Sequence, residues 1–184
     1  MTYKMNIAGI DRELPLCPLN EELQIGAFVM FGDVELTRAC AEALLAKAPE
    51  YDYLITAEAK GIPLCYEMAR QAGNDTYFVA RKKPKFYMTG VLDVEVQSIT
   101  TAGVQHLYLD TAEAEQIRGK RILIVDDVIS TGESLHALET LVERAGGIIV
   151  GKMAVLAEGD AAEREDLIIL NPLPLFDKNG NPIA

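Results

Sequence analysis

Asp126 and Asp127 stand side by side after the apolar run Ile122-Leu123-Ile124-Val125, and Ser130, Thr131, Gly132, Glu133 and Ser134 follow two apolar residues later. Ionised carboxylates only accept hydrogen bonds, and a diol offers two donors, so sugar hydroxyls are the fitting partner for this pair. The stretch after them suits the opposite task. Gly132 lets the backbone come close to an anion, and Ser130, Thr131 and Ser134 add hydroxyl donors. A helix starting directly behind them adds N–H groups and a partial positive charge. Helix capping accounts for one acid at such a position, whereas two at a buried strand end are costly without a ligand or partner.

Two other clusters carry chemistry. Arg81, Lys82, Lys83 and Lys85 fall within five positions after the apolar run Tyr77 to Ala80, a local positive site in an acidic chain. Glu58-Ala59-Lys60-Gly61 is a second strand-to-helix turn, after Leu54-Ile55-Thr56. Gly146 to Lys152 matches G-x-x-x-x-G-K, but Met153 replaces the required hydroxyl residue and the context is helix-to-strand, so it is a chance match. A response-regulator receiver also carries an Ile-Val-Asp-Asp strand end, but too few residues follow Asp126 here to complete one.

These turns need a scaffold of buried strands. Phe28 to Phe31, Tyr53 to Thr56, Tyr77 to Ala80, Ile122 to Val125, Ile148 to Val150 with Met153 to Leu156, and Leu167 to Leu170 read as strands, mostly continuous apolar runs that suit burial on both faces. Leu36 to Lys47 and Ile62 to Gln71 read as helices. A third follows Thr131, with Leu135, Leu138, Leu141, Val142 and Ala145 on one face and Gly146-Gly147 as its stop. This alternation predicts an α/β fold, a single domain over 1–184 with a mainly parallel twisted sheet flanked by helices. Residues 82–109 break the rhythm and are expected to form a flexible flap or projecting hairpin. Residues 1–24 and 158–184 are expected as terminal segments.

The segment 122–134 resembles the phosphoribosyl-pyrophosphate (PRPP) motif of type I phosphoribosyltransferases: four apolar residues, two acidic ones, a short apolar stretch, then Thr-Gly-x-Thr/Ser. The resemblance implies that fold, with Asp126 and Asp127 on the ribose hydroxyls and residues 130–134, Glu133 included, around the 5′-phosphate. Ala59 and Lys60 match the family's pyrophosphate loop, and Arg81, Lys82 and Lys85 would join them. Val29-Met30-Phe31-Gly32-Asp33 looks like the adenine-enzyme segment Val-Phe-Arg-Asp, which implies base binding by Phe31 and the backbone of Met30. Glu158 resembles an acidic residue near the base in the purine branches. The flap stretch Ser98-Ile99-Thr100-Thr101 is closer to the Ser-Phe-Thr of xanthine enzymes. The implied activity joins a purine base, adenine favoured, to PRPP, giving a nucleoside 5′-monophosphate and pyrophosphate in purine salvage. A xanthine or other 6-oxopurine acceptor and a non-catalytic PRPP sensor are the alternatives. The resemblance also implies Mg²⁺ carried by PRPP and a homodimer.

Composition narrows the partners. Of 184 residues, 17 are basic and 28 acidic, a net charge of −11, which argues against nucleic-acid polymers and anionic membrane surfaces. The N-terminus lacks a signal-peptide pattern and no apolar run approaches the length of a span, so a cytoplasmic setting is expected. Cys17, Cys40 and Cys65 form no C-x-x-C pair, and no protein-held metal site is expected.

Overall fold

Strands β4 (Tyr53–Ala57) and β8 (Arg121–Ile129) run parallel at the heart of the chain, paired Tyr53 to Ile122 and Ile55 to Ile124. The computed structural model describes residues 1–97 and 104–183. Around that pair, β5 (Phe78–Ala80), β9 (Ile148–Glu158) and β10 (Ile168–Leu173) complete a parallel sheet of order β10-β9-β8-β4-β5. Neighbouring residues of the central strands enter opposite cores. Leu54, Leu123 and Val125 join one cluster with Leu36, Leu64 and Met68, while Ile55, Ile122 and Ile124 join another with Leu135, Leu138 and Leu141. Burial on both faces explains why these strands read as unbroken apolar runs.

Helices α1 (Val34–Leu45) and α2 (Ile62–Ala72) cover the first face, and α3 (Thr111–Ile117) and α4 (Glu133–Arg144) cover the second. The strand order reverses between β4 and β8, since the chain moves outward to β5 and then returns to β8. Such a reversal brings the turns after two adjacent strands together at their carboxyl ends, where ligands bind in open α/β sheets. Asp52 fixes the far end of the pair: the Arg121 N–H donates to its Oδ2 at 2.7 Å and Arg121 Nη2 to its Oδ1 at 3.0 Å.

Strands β6 (Val91–Gln97) and β7 (Val104–Asp110) form an antiparallel hairpin, in line with the expected hairpin, while the stretch 98–101 lies outside the described residues. Its base is docked. Val94 and Leu107 are buried in the second core, and Arg81 and Tyr108 exchange two backbone hydrogen bonds of 2.8 Å.

One sequence expectation is corrected. Phe28 to Phe31 forms no strand; Phe28 and Met30 are buried and Val29 and Phe31 exposed, an alternation without a ladder partner. The two ends of the chain come together. β1 (Thr2–Ile7), β2 (Ile10–Pro18) and β3 (Leu23–Gly26) join β11 (Leu175–Asp177) and β12 (Pro182–Ile183) in a second, antiparallel sheet. Arg12 on β2 ties that sheet to α1, donating to both Asp33 oxygens at 2.7 and 3.0 Å and to Glu35 at 2.8 Å. Asp33 caps α1 by accepting the Leu36 N–H at 3.1 Å.

Candidate active site

The turns after β4 and β8 face one another across a cavity of about 580 Å³. Its wall includes Glu58, Ala59 and Lys60 from the first turn, Asp126 to Gly132 and Ser134 from the second, and Lys82, His106 and Leu107 from the hairpin side. The structure therefore brings together Ala59, Lys60, Lys82, Asp126, Asp127, Ser130, Thr131, Gly132 and Ser134, which lie far apart in sequence. Glu133 is outside that wall, and so are Arg81, Lys85, Met30, Phe31 and Glu158.

The carboxylate pair is built by packing. β8 carries both acids to its end, where Asp127 is only 3% exposed. Gly61, opening α2, presses against them: a Cβ there would collide with Thr56 Oγ1 and come within 3.1 Å of Asp126 Oδ1. The absence of a side chain at Gly61 is what lets the two turns touch. The Asp127 N–H donates to Asp126 Oδ1 at 2.8 Å. Lys60 Nζ lies 3.5 Å from Asp127 Oδ2, an ion-pair distance, yet that oxygen and Thr56 Oγ1 are buried without a hydrogen-bond partner among the described residues. Burial first, and the charge of Asp127 second, push the Asp126 carboxyl up to about 7. A buried carboxylate oxygen without a partner, such as Asp127 Oδ2, is suited to a donor from a ligand, as a sugar hydroxyl is.

The loop after the pair has the chemistry that suits an anion. The N-cap of α4 is Gly132, whose φ of +79° is the left-handed conformation that glycine adopts without strain. The helix N-terminus adds partial positive charge beside Ser130, Thr131 and Ser134.

Glu58 organises the basic cluster and was not singled out by the sequence reading. It accepts the Lys82 N–H at 2.9 Å, and Arg81 Nη1 and Lys85 Nζ each lie 3.4 Å from its Oε1. The Lys82 N–H leads in holding the Glu58 carboxyl below its ordinary range, with Lys85 and Arg81 adding to the effect. Its position in the Glu58-Ala59-Lys60-Gly61 turn was the available signal. The peptide bond Glu58–Ala59 in that turn is cis. His106 also lines the cavity, stacked on Tyr108 at 5.9 Å, and no sequence spacing pointed to it.

The residues matched to the base lie elsewhere. Met30 is buried in the first core, whereas Phe31 is 52% exposed beside the turn at Gly32. Glu158, half-buried at the end of β9, has its carboxyl raised by burial, with the nearby Lys60 charge opposing the rise.

Residues 35–172 match the family model described as a phosphoribosyl transferase domain. The chain belongs to the phosphoribosyltransferase family. It is 34% identical over 113 residues to the hypoxanthine/guanine phosphoribosyltransferase of Methanococcus voltae, spanning 61% of this chain and 56% of that protein. It is 31% identical over 150 residues to the adenine phosphoribosyltransferase of Rhodococcus jostii, covering 75% of each. The crystal structure of adenine phosphoribosyltransferase from Rhodothermus marinus superposes with a TM-score of 0.70 at 27% identity, over 87% of this chain and 94% of that one. The α/β fold with its helix-flanked parallel sheet is that of these phosphoribosyltransferases. No helix among the described residues is long and apolar enough to cross a membrane.

Proposed function

We propose that this chain is a purine phosphoribosyltransferase of purine salvage, transferring the phosphoribosyl group of PRPP to a purine base, with adenine favoured. The products are the nucleoside 5′-monophosphate and pyrophosphate. The observation that carries this reading is the meeting of an acceptor pair, Asp126 and Asp127, with an anion-binding helix start in one cavity that Lys60 also enters. The likeness to the Rhodococcus adenine enzyme supports the preference for adenine.

In this reading Asp126 and Asp127 hold the ribose 2′- and 3′-hydroxyls beside the anomeric carbon, where positive charge develops. Residues 130–134 anchor the 5′-phosphate. Lys60 and Lys82, with Arg81 and Lys85 behind them on Glu58, receive the departing pyrophosphate. Phe31, the Met30 backbone and Glu158 serve the base. Rate comes from positioning, and the hairpin limits access of water that otherwise hydrolyses PRPP.

The donor set fits Mg²⁺ only as an ion carried by the substrate. No group of three or more His, Cys, Asp or Glu among the described residues is arranged to hold a metal, while a hydrated Mg²⁺ needs only one or two carboxylates beside phosphate oxygens. Asp126 and Asp127 are the residues that would meet it, and when bound it neutralises pyrophosphate charge. A cytoplasmic homodimer is part of the same proposal.

A second reading, a 6-oxopurine acceptor, is favoured by the likeness to the Methanococcus hypoxanthine/guanine enzyme. Pyrophosphate release measured with PRPP, Mg²⁺ and adenine, hypoxanthine, guanine, xanthine or orotate in turn separates the two. Adenine is expected to give the highest kcat/KM. Release with a 6-oxopurine instead selects the second reading, and PRPP binding without release from any base marks a sensor.

A further inference from the structure

Arg164 follows the 3₁₀ turn Gly159–Glu163 at the end of β9. Its Nε and Nη2 donate to Asp166 Oδ1 and Oδ2 at 2.9 and 2.8 Å, the two-pronged geometry that fixes the plane of a guanidinium. Asp166 also accepts from Lys152 Nζ of β9, and the same Nζ donates to Glu139 Oε1 of α4 at 2.6 Å. Bound in this way, Arg164 turns Nη1 toward the start of α4. A Cβ on Gly132 would lie 2.9 Å from that nitrogen.

The contact falls on the residue where the phosphate loop becomes a helix. Gly132 lines the cavity, and Arg164 is outside its wall. The strut binds α4 at Glu139 through Lys152 and stands beside Gly132, two turns earlier. Its members, Arg164, Lys152, Asp166 and Glu139, carry two charges of each sign, so it adds rigidity rather than net positive field.

We propose that Arg164 is a positioning residue for the phosphate loop, holding Gly132 and the first turn of α4 in the conformation that receives the 5′-phosphate. The proposal rests on the reading of residues 130–134 as the cradle for that phosphate. Arg164 stands beside the loop and outside the cavity wall. Its removal therefore loosens one half of the PRPP site and spares the other.

Calorimetric titration of the full chain with ribose 5-phosphate and, separately, with magnesium pyrophosphate reads the two halves independently. R164Q is expected to weaken ribose 5-phosphate binding about tenfold, as small misplacements of binding groups do, and to leave pyrophosphate affinity within about twofold. R164K keeps the charge but cannot form the fork, and it is expected to show the same selective loss. If R164Q does not fold, D166N frees the fork while keeping the arginine and is expected to reproduce the loss. Equal losses for both ligands, no loss in a folded variant, or full rescue by lysine would each overturn the proposal. Wild-type protein that binds neither ligand overturns the reading of the cavity instead.

Discussion

Lys60 Nζ stands 3.5 Å from Asp127 Oδ2, so a cation of the β4–α2 turn faces a buried carboxylate at the end of β8. Sixty-seven positions separate the two residues, and the β4–β8 pairing closes that gap. The contact joins the proposed pyrophosphate half of the cavity to the ribose half. In the proposed mechanism a substrate would offer phosphate to the first and hydroxyls to the second.

Replacing Lys60 by alanine removes a positive group from the proposed pyrophosphate site. Turnover is expected to fall on the order of a hundredfold, the scale of losing one electrostatic donor in an acyl-transfer site. Steady-state kinetics of pyrophosphate release check this. An unchanged kcat/KM for PRPP would remove Lys60 from the mechanism.

The Asp126 carboxyl, raised by burial and by Asp127, gives a pH signature in the ligand-free protein. An acid whose folded value exceeds its unfolded one holds its proton longer in the folded chain. Stability therefore falls as pH rises from about 4 to about 7. D126N lacks that titration, so its melting temperature should gain on wild type between about pH 5 and pH 8. Differential scanning calorimetry at both pH values tests the trend, and a constant difference contradicts it.

Phe31 tests the assignment of the base. Half of its surface is exposed, so F31A is expected to leave stability within about 0.5 kcal/mol. Loss of a stacking ring should raise the KM for the base by up to about tenfold while the KM for PRPP holds. An unchanged base KM moves the base site away from residues 29–33.

Asp33 bears on the second sheet, since it caps α1 and receives the Arg12 fork. D33A is expected to cost about 1 kcal/mol from the cap alone, measured by urea unfolding. A loss well below that would show that the cap and the tie to β2 contribute little.

The parallel core and the loop 130–134 were legible because their signals are local. An apolar run buried on both faces and a strand–loop–helix motif each declare themselves within about a dozen residues. The second sheet was not. Its closing pair, Phe176 with Gln24, unites opposite ends of the chain, and nothing local to β11's three residues announces such a partner. A cue did exist in Tyr3, Met5 and Ile7, which alternate with polar residues as a half-buried strand does. Helix α3, two turns long, is too short to show a periodicity, although its capping box, Asp110 with Glu113, was readable. Among the site residues, Lys60 was visible through its turn. Glu58 gained its role from the Lys82 backbone and Arg81, which only the β4–β5 pairing brings near.

The carboxylate pair carries the central claim, so the initial rate of pyrophosphate release from PRPP, Mg²⁺ and adenine, compared between wild type and D126N/D127N, tests it most directly. The double variant should fold, as judged by circular dichroism and melting, and release no pyrophosphate above background. A folded double variant that releases pyrophosphate at the wild-type rate contradicts the account.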